Sequence, residues 1–522
     1  MTSHPSVGRA VLNVLSNWGG QAISLSLAFF VTPFVVGVLG DSAYGVWMLV
    51  ASIAGYLSLL DLGVRGAVTR YVAKFAARRD DEAASRTLSS SIQIFGVMGA
   101  FATLVSLGLA LVAVSGFEIP EADRHTARIV LVLVGMNVGV SLVTGAYAGV
   151  VAALQRLDLL NVADVATGVV RTGATVVALL AGQGLVAMAA IQFVASVGRG
   201  IWLMVLSRRL YPALRVEIRT VSREHIRLIF TFSSLVFLIH VSGTLIYFTD
   251  ALVIATFLPI DLLTFFSIGS SLVMYARMLT SSVSYTTSPM ASSFDGAGEH
   301  EQVTRLLLMS ARYSMMILLP VALTFLIRGS SFIGLWMGPS YAGPSGQVLT
   351  ILALPLLFHA GAHAVGGIMI GVGKHRPMVP AMLIEAGTNL ALSIALLPTM
   401  GIVGVAWGTT IPSIVSSIFF WPWYARWALG IAVASYIKTI WIRPWLAALP
   451  FALGTYVVER LWPATTLTVF FAQVGVCLLL ALAADWWLCV SGAERQVLVA
   501  GARRRFRRVP IVAPSTTTRP SE

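Results

Sequence analysis

The sequence predicts an all-α polytopic membrane protein with about 14 transmembrane helices: two like-oriented six-helix bundles around a central cavity, followed by two C-terminal helices. Three observations predict it. The 522 residues are 57% hydrophobic and only 11% charged, with mean hydropathy +0.85, against about 25% charged residues in soluble domains. Apolar runs of the roughly 20 residues needed to cross a bilayer recur along the whole chain. The chain also resembles itself at a shift of 219 residues.

The apolar runs place spans near 11–39, 43–67, 88–115, 127–152, 161–181, 185–206, 226–256, 261–290, 306–328, 346–371, 377–397, 402–423, 444–459 and 466–489. The first is too long for a signal-peptide core and has no small-residue cleavage context, so it reads as a spanning helix. An even number of spans puts both termini on one side. Of the 35 Lys and Arg, 27 fall in segments on the terminus side. Four (Arg124, Arg128, Arg328, Arg460) fall opposite, and four (Arg65, Arg171, Arg199, Arg277) lie within or at the edge of spans. Positive charge concentrates on cytoplasmic loops, which predicts that both termini are cytoplasmic.

The net charge of +13 is spread over these short loops, without the basic, aromatic-lined groove that binds nucleic acid strands. Cys477 and Cys489 share the last span. Twelve helical residues separate them by about 18 Å, beyond the ~7 Å Cα separation a disulfide allows. They read as packing residues. The tail "RRRFRRVPIVAPSTTTRPSE" is basic and then rich in Ser, Thr and Pro, a cytoplasmic end suited to anionic headgroups. "WALGIAVASYIKTIW", from Trp427, reads as an amphipathic segment along the cytoplasmic interface.

At the 219-residue shift, Leu39 meets Leu258, Trp47 meets Phe266, Phe75 meets Phe294, Glu82 meets Glu301, Arg86 meets Arg305 and Leu88 meets Leu307. The matches recur without gaps, after spans two and eight. Spans one to six and seven to twelve are then two copies of one bundle, related by an axis along the membrane normal. The boundaries read as a first lobe over 1–215, a second over 216–425, an interfacial segment with two spans over 426–489, and a basic tail over 490–522. Like-oriented bundles leave a cleft between them, and rocking one against the other exposes it to either side alternately.

Charges inside the spans point to that cleft. A charge at a helix centre costs about 2.5–3.5 kcal/mol on the insertion scale, so such residues face protein or water. Asp61 and Arg65, four residues apart in span two, share a face. They fit either a structural ion pair or a cleft cation oriented by its acid. Arg171 and Arg277 lie mid-span, Asp164 is two turns before Arg171, and Asp250, Glu385 and Asn389 are further polar residues within spans. Arg199, close to a boundary, reads as snorkelling. Three arginines around one cleft suit an anionic ligand, because a guanidinium grips phosphate bidentately. The acids Glu385, Asp250 and Asp164, with Asn389, are candidates for ion coupling to H+ or Na+.

Two chemistries find little support. His359 and His363 have metal-pair spacing but no third ligand nearby, so they read as helix–helix hydrogen-bonding residues and no metal is expected. "GGIMIGVGKHRP" lacks both the first glycine and the Ser or Thr of a phosphate loop. Glycine pairs such as Gly145 and Gly149 permit close helix packing. Pro33 and Pro289 fall inside apolar runs and are candidate bending points.

The stretches "TPFVVGVLGDSAYGVW" and "LLDLGVRGAVTRYVAK", in the first hundred residues, resemble bacterial polysaccharide flippases (O-antigen and exopolysaccharide repeat-unit flippases) of the multidrug/oligosaccharidyl-lipid/polysaccharide exporter superfamily. The resemblance implies two six-helix lobes with two extra spans. It implies movement of a polyprenyl-pyrophosphate-linked oligosaccharide across the bacterial inner membrane through a cationic cavity. Arg65 lies within the matching stretch; Arg171 and Arg277 come from the spans alone. No lysine lies within a span, where members of the family often carry one.

The expected function is therefore flipping of a lipid-linked oligosaccharide for surface or extracellular polysaccharide biosynthesis, with Arg65, Arg171, Arg277 and Asp61 lining the substrate cavity. Partners implied are membrane lipids and a polysaccharide polymerase or glycosyltransferases; no cofactor is implied. The alternatives are a cation-coupled multidrug exporter of the same superfamily and a non-transporting scaffold of a glycan-assembly complex. An enzyme is not expected, since general acid–base work lacks acids on sizeable outer loops.

Overall fold

A computed structural model describes residues 7–216, 223–492, 494–496 and 500, and every regular element in it is helical. The order is α1 (Val7–Leu39), α2 (Asp41–Leu57), α3 (Val64–Arg78), α4 (Asp81–Val112), α5 (Glu121–Ala153), α6 (Leu157–Leu180), α7 (Leu185–Leu210), α8 (Arg223–Phe257), α9 (Ile260–Gly296) and α10 (His300–Trp336). There follow α11 (Pro339–Ala342), α12 (Pro344–Ala353), α13 (Leu356–Gly371), α14 (Met378–Met400), α15 (Ile402–Val415), α16 (Trp421–Leu429), α17 (Val433–Tyr436), α18 (Arg443–Leu461) and α19 (Leu467–Leu488). The basic run at 503–508 lies outside the described residues.

Among the described residues, twelve spans are long and apolar enough to cross a membrane. The inclined pair Pro344–His359 and Gly361–Gly371, at 51° to each other, makes thirteen. The chain is a multi-pass membrane protein. The expected thirteenth span, 444–459, corresponds to α18, a complete helix that is less apolar because Arg443, Glu459 and Arg460 sit at its ends.

Three expectations give way to local chemistry. Span two is not one rod. After α2 a 3-10 turn, Ser58–Asp61, leads to Leu62 (φ 49°) and Gly63 (φ 75°) before α3 begins. Two successive left-handed residues break the helix, and glycine takes that conformation at no steric cost. The expected outer loop near 329–345 is helical instead: α10 runs on to Trp336, and α11 and α12 each begin at a proline, a favoured first helical residue. This carries Arg328 from an expected loop into a helix interior. The segment from Trp427 is not a free amphipathic helix. Gly430 (φ 70°) ends α16, and a π-helical turn, Ile437–Ile442, feeds α18. Its Tyr436, Ile440 and Trp441 are buried, and Trp441 packs on Phe358 of α13.

Helices α2 and α9 begin 219 residues apart, as do α4 and α10. In the first half α5 packs on α4 and α7, and α1 on α6; in the second, α9 packs on α10, α12 and α13, and α14 on α8 and α15. The halves meet where α2 lies against α8 and α9. At Gly45 the two backbones are so close that a Cβ would collide with the Ile260 carbonyl oxygen. At this end the Thr264 hydroxyl donates to the Asp41 carbonyl (2.6 Å), Tyr341 to the Asp41 carboxylate (2.6 Å), and the Trp336 indole to the Phe29 carbonyl (2.9 Å). The Glu118 amide donates to the Ala255 carbonyl (2.9 Å), and the Ile260 amide to the Glu118 carbonyl (3.2 Å).

Beyond α19 the chain is tied back to α10. Arg312 Nη2 donates to Glu494 Oε1 (2.5 Å), and the Ser491 amide donates to Glu494 Oε2 (2.7 Å). Burial opposes ionisation of Glu494, but the Ser491 amide and hydroxyl and the Arg312 guanidinium outweigh it and hold the carboxyl below its usual range. A folded pKa below the unfolded value of ~4.3 means the tie contributes fully above that value and is lost as pH falls through the folded one. Glu494→Gln is therefore expected to lower stability by about 1–3 kcal/mol at pH 7. In thermal unfolding of the detergent-solubilised protein, the gap to wild type should close as pH falls below ~4; a gap that widens in acid refutes this.

Candidate functional site

Helix α2 separates two cavities. On its C-terminal-half side, a cavity of about 150 Å³ is lined by Met48 and Ser52 of α2, Tyr247 and Asp250 of α8, Arg277 of α9 and Thr409 of α15. On its other side, a cavity of about 380 Å³ is lined by Thr32 of α1, Tyr44 and Trp47 of α2, Arg171 and Thr175 of α6 and Gln192 of α7. Ala51 of α2 lines both. The fold thus brings Arg171 and Arg277, 106 positions apart in sequence, to opposite sides of one helix.

Both guanidiniums keep unused hydrogen-bonding capacity. Arg277 Nη1 donates to the Tyr247 hydroxyl (3.1 Å) and lies over that ring at 5.4 Å, while its buried Nε has no hydrogen-bond partner. Arg171 makes no hydrogen bond or ion pair among the described residues. A buried donor left unpaired costs about 1–3 kcal/mol, so Arg277 Nε is poised for an acceptor, while Arg171 is exposed where it lines its cavity and its donors are open to a ligand.

Arg65 is placed differently. It begins α3, just past the break, and its Nε pairs with Asp61 Oδ2 at 3.4 Å. Its guanidinium lies against α5, where a Cβ on Gly145 would come within 2.9 Å of it, and Val68 lies against Gly149. With a side chain 49% exposed, it is within reach of water, but it lines neither cavity at α2.

The acids divide three ways. Asp164 pairs with Arg199 across α6 and α7 (2.5 Å) rather than accompanying Arg171. Arg199 is held by this partner instead of snorkelling alone. Asp250 is 6% exposed: Oδ2 accepts from Thr409 (2.7 Å), and Oδ1 has no hydrogen-bond partner. Thr409 in turn accepts from Asn389 Nδ2 (3.1 Å), and Ser393 reaches Asn389 Oδ1 (3.5 Å) and the Val405 carbonyl (3.4 Å). The Thr409 hydroxyl of α15 thus links the buried carboxylate of α8 to the Asn389 amide of α14. Glu385 faces a third chamber, with His240, His359 and His363.

Two groups escaped the sequence reading. Thr409 and Ser393 complete the Asp250 cluster, yet hydroxyls are too ordinary in spanning helices to stand out. Arg328 is fully buried: Nε donates to Glu459 Oε2 (2.5 Å), Nη2 donates to Gln473 Oε1 (2.7 Å), and the guanidinium lies 4.4 Å from the Phe470 ring centre. An isolated acid in span thirteen and an isolated arginine ending span nine were the available signal.

The family profile described as "Polysaccharide biosynthesis protein" matches residues 10–295, more than half of the chain. The chain belongs to this family. The match extends well past the first hundred residues that carry the resemblance in sequence. Among the chain's relatives, "Probable flippase AglR" of Haloferax volcanii is 21% identical over 403 residues, 77% of this chain and 80% of that protein. The fold is shared with "Lipid II flippase MurJ, inward closed conformation", at TM-score 0.72 and 12% identity over 91% of this chain and 98% of that one. It is also shared with an inward-facing multidrug resistance MATE family transporter of the MOP superfamily, at TM-score 0.63 and 14% identity over 80% and 96% of the two chains.

Proposed function

We propose that this chain moves a polyprenyl-diphosphate-linked oligosaccharide across a bacterial cytoplasmic membrane by alternating access, supplying surface or extracellular polysaccharide assembly. The observation that carries the reading is the pair of guanidiniums with open donors, Arg171 and Arg277, in cavities that meet at Ala51. A diphosphate offers clustered negative oxygens that match such donors bidentately. Arg65, half exposed and loosely held by Asp61, is a third cation within the same half as Arg171. The prenyl chain stays in lipid. Arginine at the cavities weighs against a cationic drug as cargo. No step calls for bond-breaking chemistry; glycosyltransferases and a polymerase act before and after.

Both termini are cytoplasmic on the positive-inside argument, so the end where α2 and α9 begin faces outward and the described conformation is sealed there. Asp250, with one carboxylate oxygen unpartnered and Asn389 one hydrogen bond further on, is the coupling site for H+ or Na+. Asp164 is committed to Arg199, and Glu385 stands in a separate chamber.

Deleting the gene should lower surface polysaccharide and raise lipid-linked glycan on the cytoplasmic leaflet, with rescue by the wild-type gene. In proteoliposomes, the Asp250→Asn variant should lose the acceleration that an imposed H+ or Na+ gradient gives to lipid-linked glycan flipping. Normal surface polysaccharide after deletion overturns the transport reading; gradient-driven flipping by Asp250→Asn at the wild-type rate overturns the coupling assignment alone.

A further inference from the structure

The third chamber, about 670 Å³ between α8, α9, α13, α14 and α16, has no part in the functions assigned above. Its volume falls within the 300–1,000 Å³ typical of ligand sites. We infer that it is a saccharide subsite, which takes the sugar rings nearest the diphosphate; this rests on the transport reading just given.

The lining decides the ligand class. Among the described residues it holds no lysine or arginine, so it is ill suited to the diphosphate itself. It offers short-range hydrogen-bonding groups instead: the Glu385 carboxylate, the imidazoles of His240 and His359, and the Ser288 hydroxyl. His359 is buried, and its Nδ1 is engaged with the Ser417 hydroxyl (2.9 Å), which fixes the ring and directs the other nitrogen elsewhere. Trp421, 6% exposed, lines the chamber and its indole nitrogen has no hydrogen-bond partner. A buried donor without an acceptor is costly, and a ligand hydroxyl or amide carbonyl would satisfy it. Tyr247, 48% exposed on the wall shared with the Arg277 cavity, adds an aromatic ring of the kind that the C–H face of a sugar covers. This mixture of mostly apolar wall and a few placed polar groups is the composition of small-molecule sites.

The position fits one continuous substrate. Ile246, Tyr247 and Phe248 of α8 line both this chamber and the Arg277 cavity, so they form a shared wall. A diphosphate held at Arg277 would present its first sugars across Tyr247 into the chamber.

The test uses the full chain in lipid nanodiscs and two probes measured by native mass spectrometry. One is undecaprenyl diphosphate; the other is the polyprenyl-diphosphate-linked glycan pool extracted from cells lacking this gene. Wild type should prefer the glycan-bearing lipid. Glu385→Gln and, independently, the chamber-filling Met382→Trp should each cut that preference about tenfold or more, the worth of one hydrogen bond to a charged group. Both should leave undecaprenyl diphosphate binding within about twofold, which also reports that they fold. Arg277→Ala should weaken both probes. Equal binding of the two probes by wild type, or an unchanged preference in both variants, overturns the subsite while the Arg277 effect stands. Failure of Arg277→Ala to weaken either probe overturns the transport reading beneath it.

Discussion

Cells whose only copy carries Arg171→Ala together with Arg277→Ala are expected to export surface glycan at least about 100-fold more slowly than wild type, since each lost charged hydrogen bond is worth ~1.5–3 kcal/mol and a factor of ten is ~1.4. Neither change removes an ion pair from the described structure: Arg171 has no partner there, and Arg277 engages only the Tyr247 hydroxyl and ring. The variant should therefore reach wild-type levels in the membrane, which separates loss of transport from loss of protein. Lysine at both positions should recover part of the rate, because it restores charge without the bidentate fork. Export within about twofold of wild type at equal protein level would remove the basis of the diphosphate site, given that the predicted loss is two orders of magnitude.

The second large effect is on stability. Arg328 ties α10 to α18 through Glu459 and to α19 through Gln473. Glu459 also accepts from Ser331, and Gln473 donates to the Trp462 carbonyl (2.9 Å). Arg328→Leu leaves the Glu459 carboxylate, 18% exposed, without its cation, and breaking a buried pair in this way costs about 3–5 kcal/mol. Replacing both partners, Arg328→Leu with Glu459→Leu, should return most of that loss, because an apolar pair has no desolvation debt. Thermal unfolding of the purified variants in detergent measures the cycle. If the double variant is no more stable than Arg328→Leu, the ion pair is not what joins α18 and α19 to α10.

The fold class was legible because apolar length and charge placement are properties of the chain alone. The 219-residue repeat points to the coincident starts of α2 with α9 and α4 with α10, although few identities carry it. What could not be read was where regular geometry stops. Leu62 is an ordinary apolar residue whose left-handed backbone is imposed by its surroundings, and it is this turn that sets Arg65 at the head of α3 rather than within α2. The candidate arginines were recognisable singly, since charge inside an apolar run is conspicuous, but partnership was not. Asp164, two turns from Arg171, pairs across the bundle with Arg199, a choice made by packing of α6 on α7. The Asp250 cluster was half visible, with Asp250 and Asn389 evident and Thr409 and Ser393 hidden among many hydroxyls.

The knot at the heads of α2 and α9 has a bearing on how the chain can evolve. Four of its five acceptors are peptide oxygens, those of Phe29, Asp41, Glu118 and Ala255, and no codon change deletes a peptide oxygen. Two of its five donors, the Glu118 and Ile260 amides, are peptide groups as well, so those two bonds survive any exchange of side chain other than to proline, whereas the bonds from Thr264, Tyr341 and Trp336 can each be lost by a single substitution.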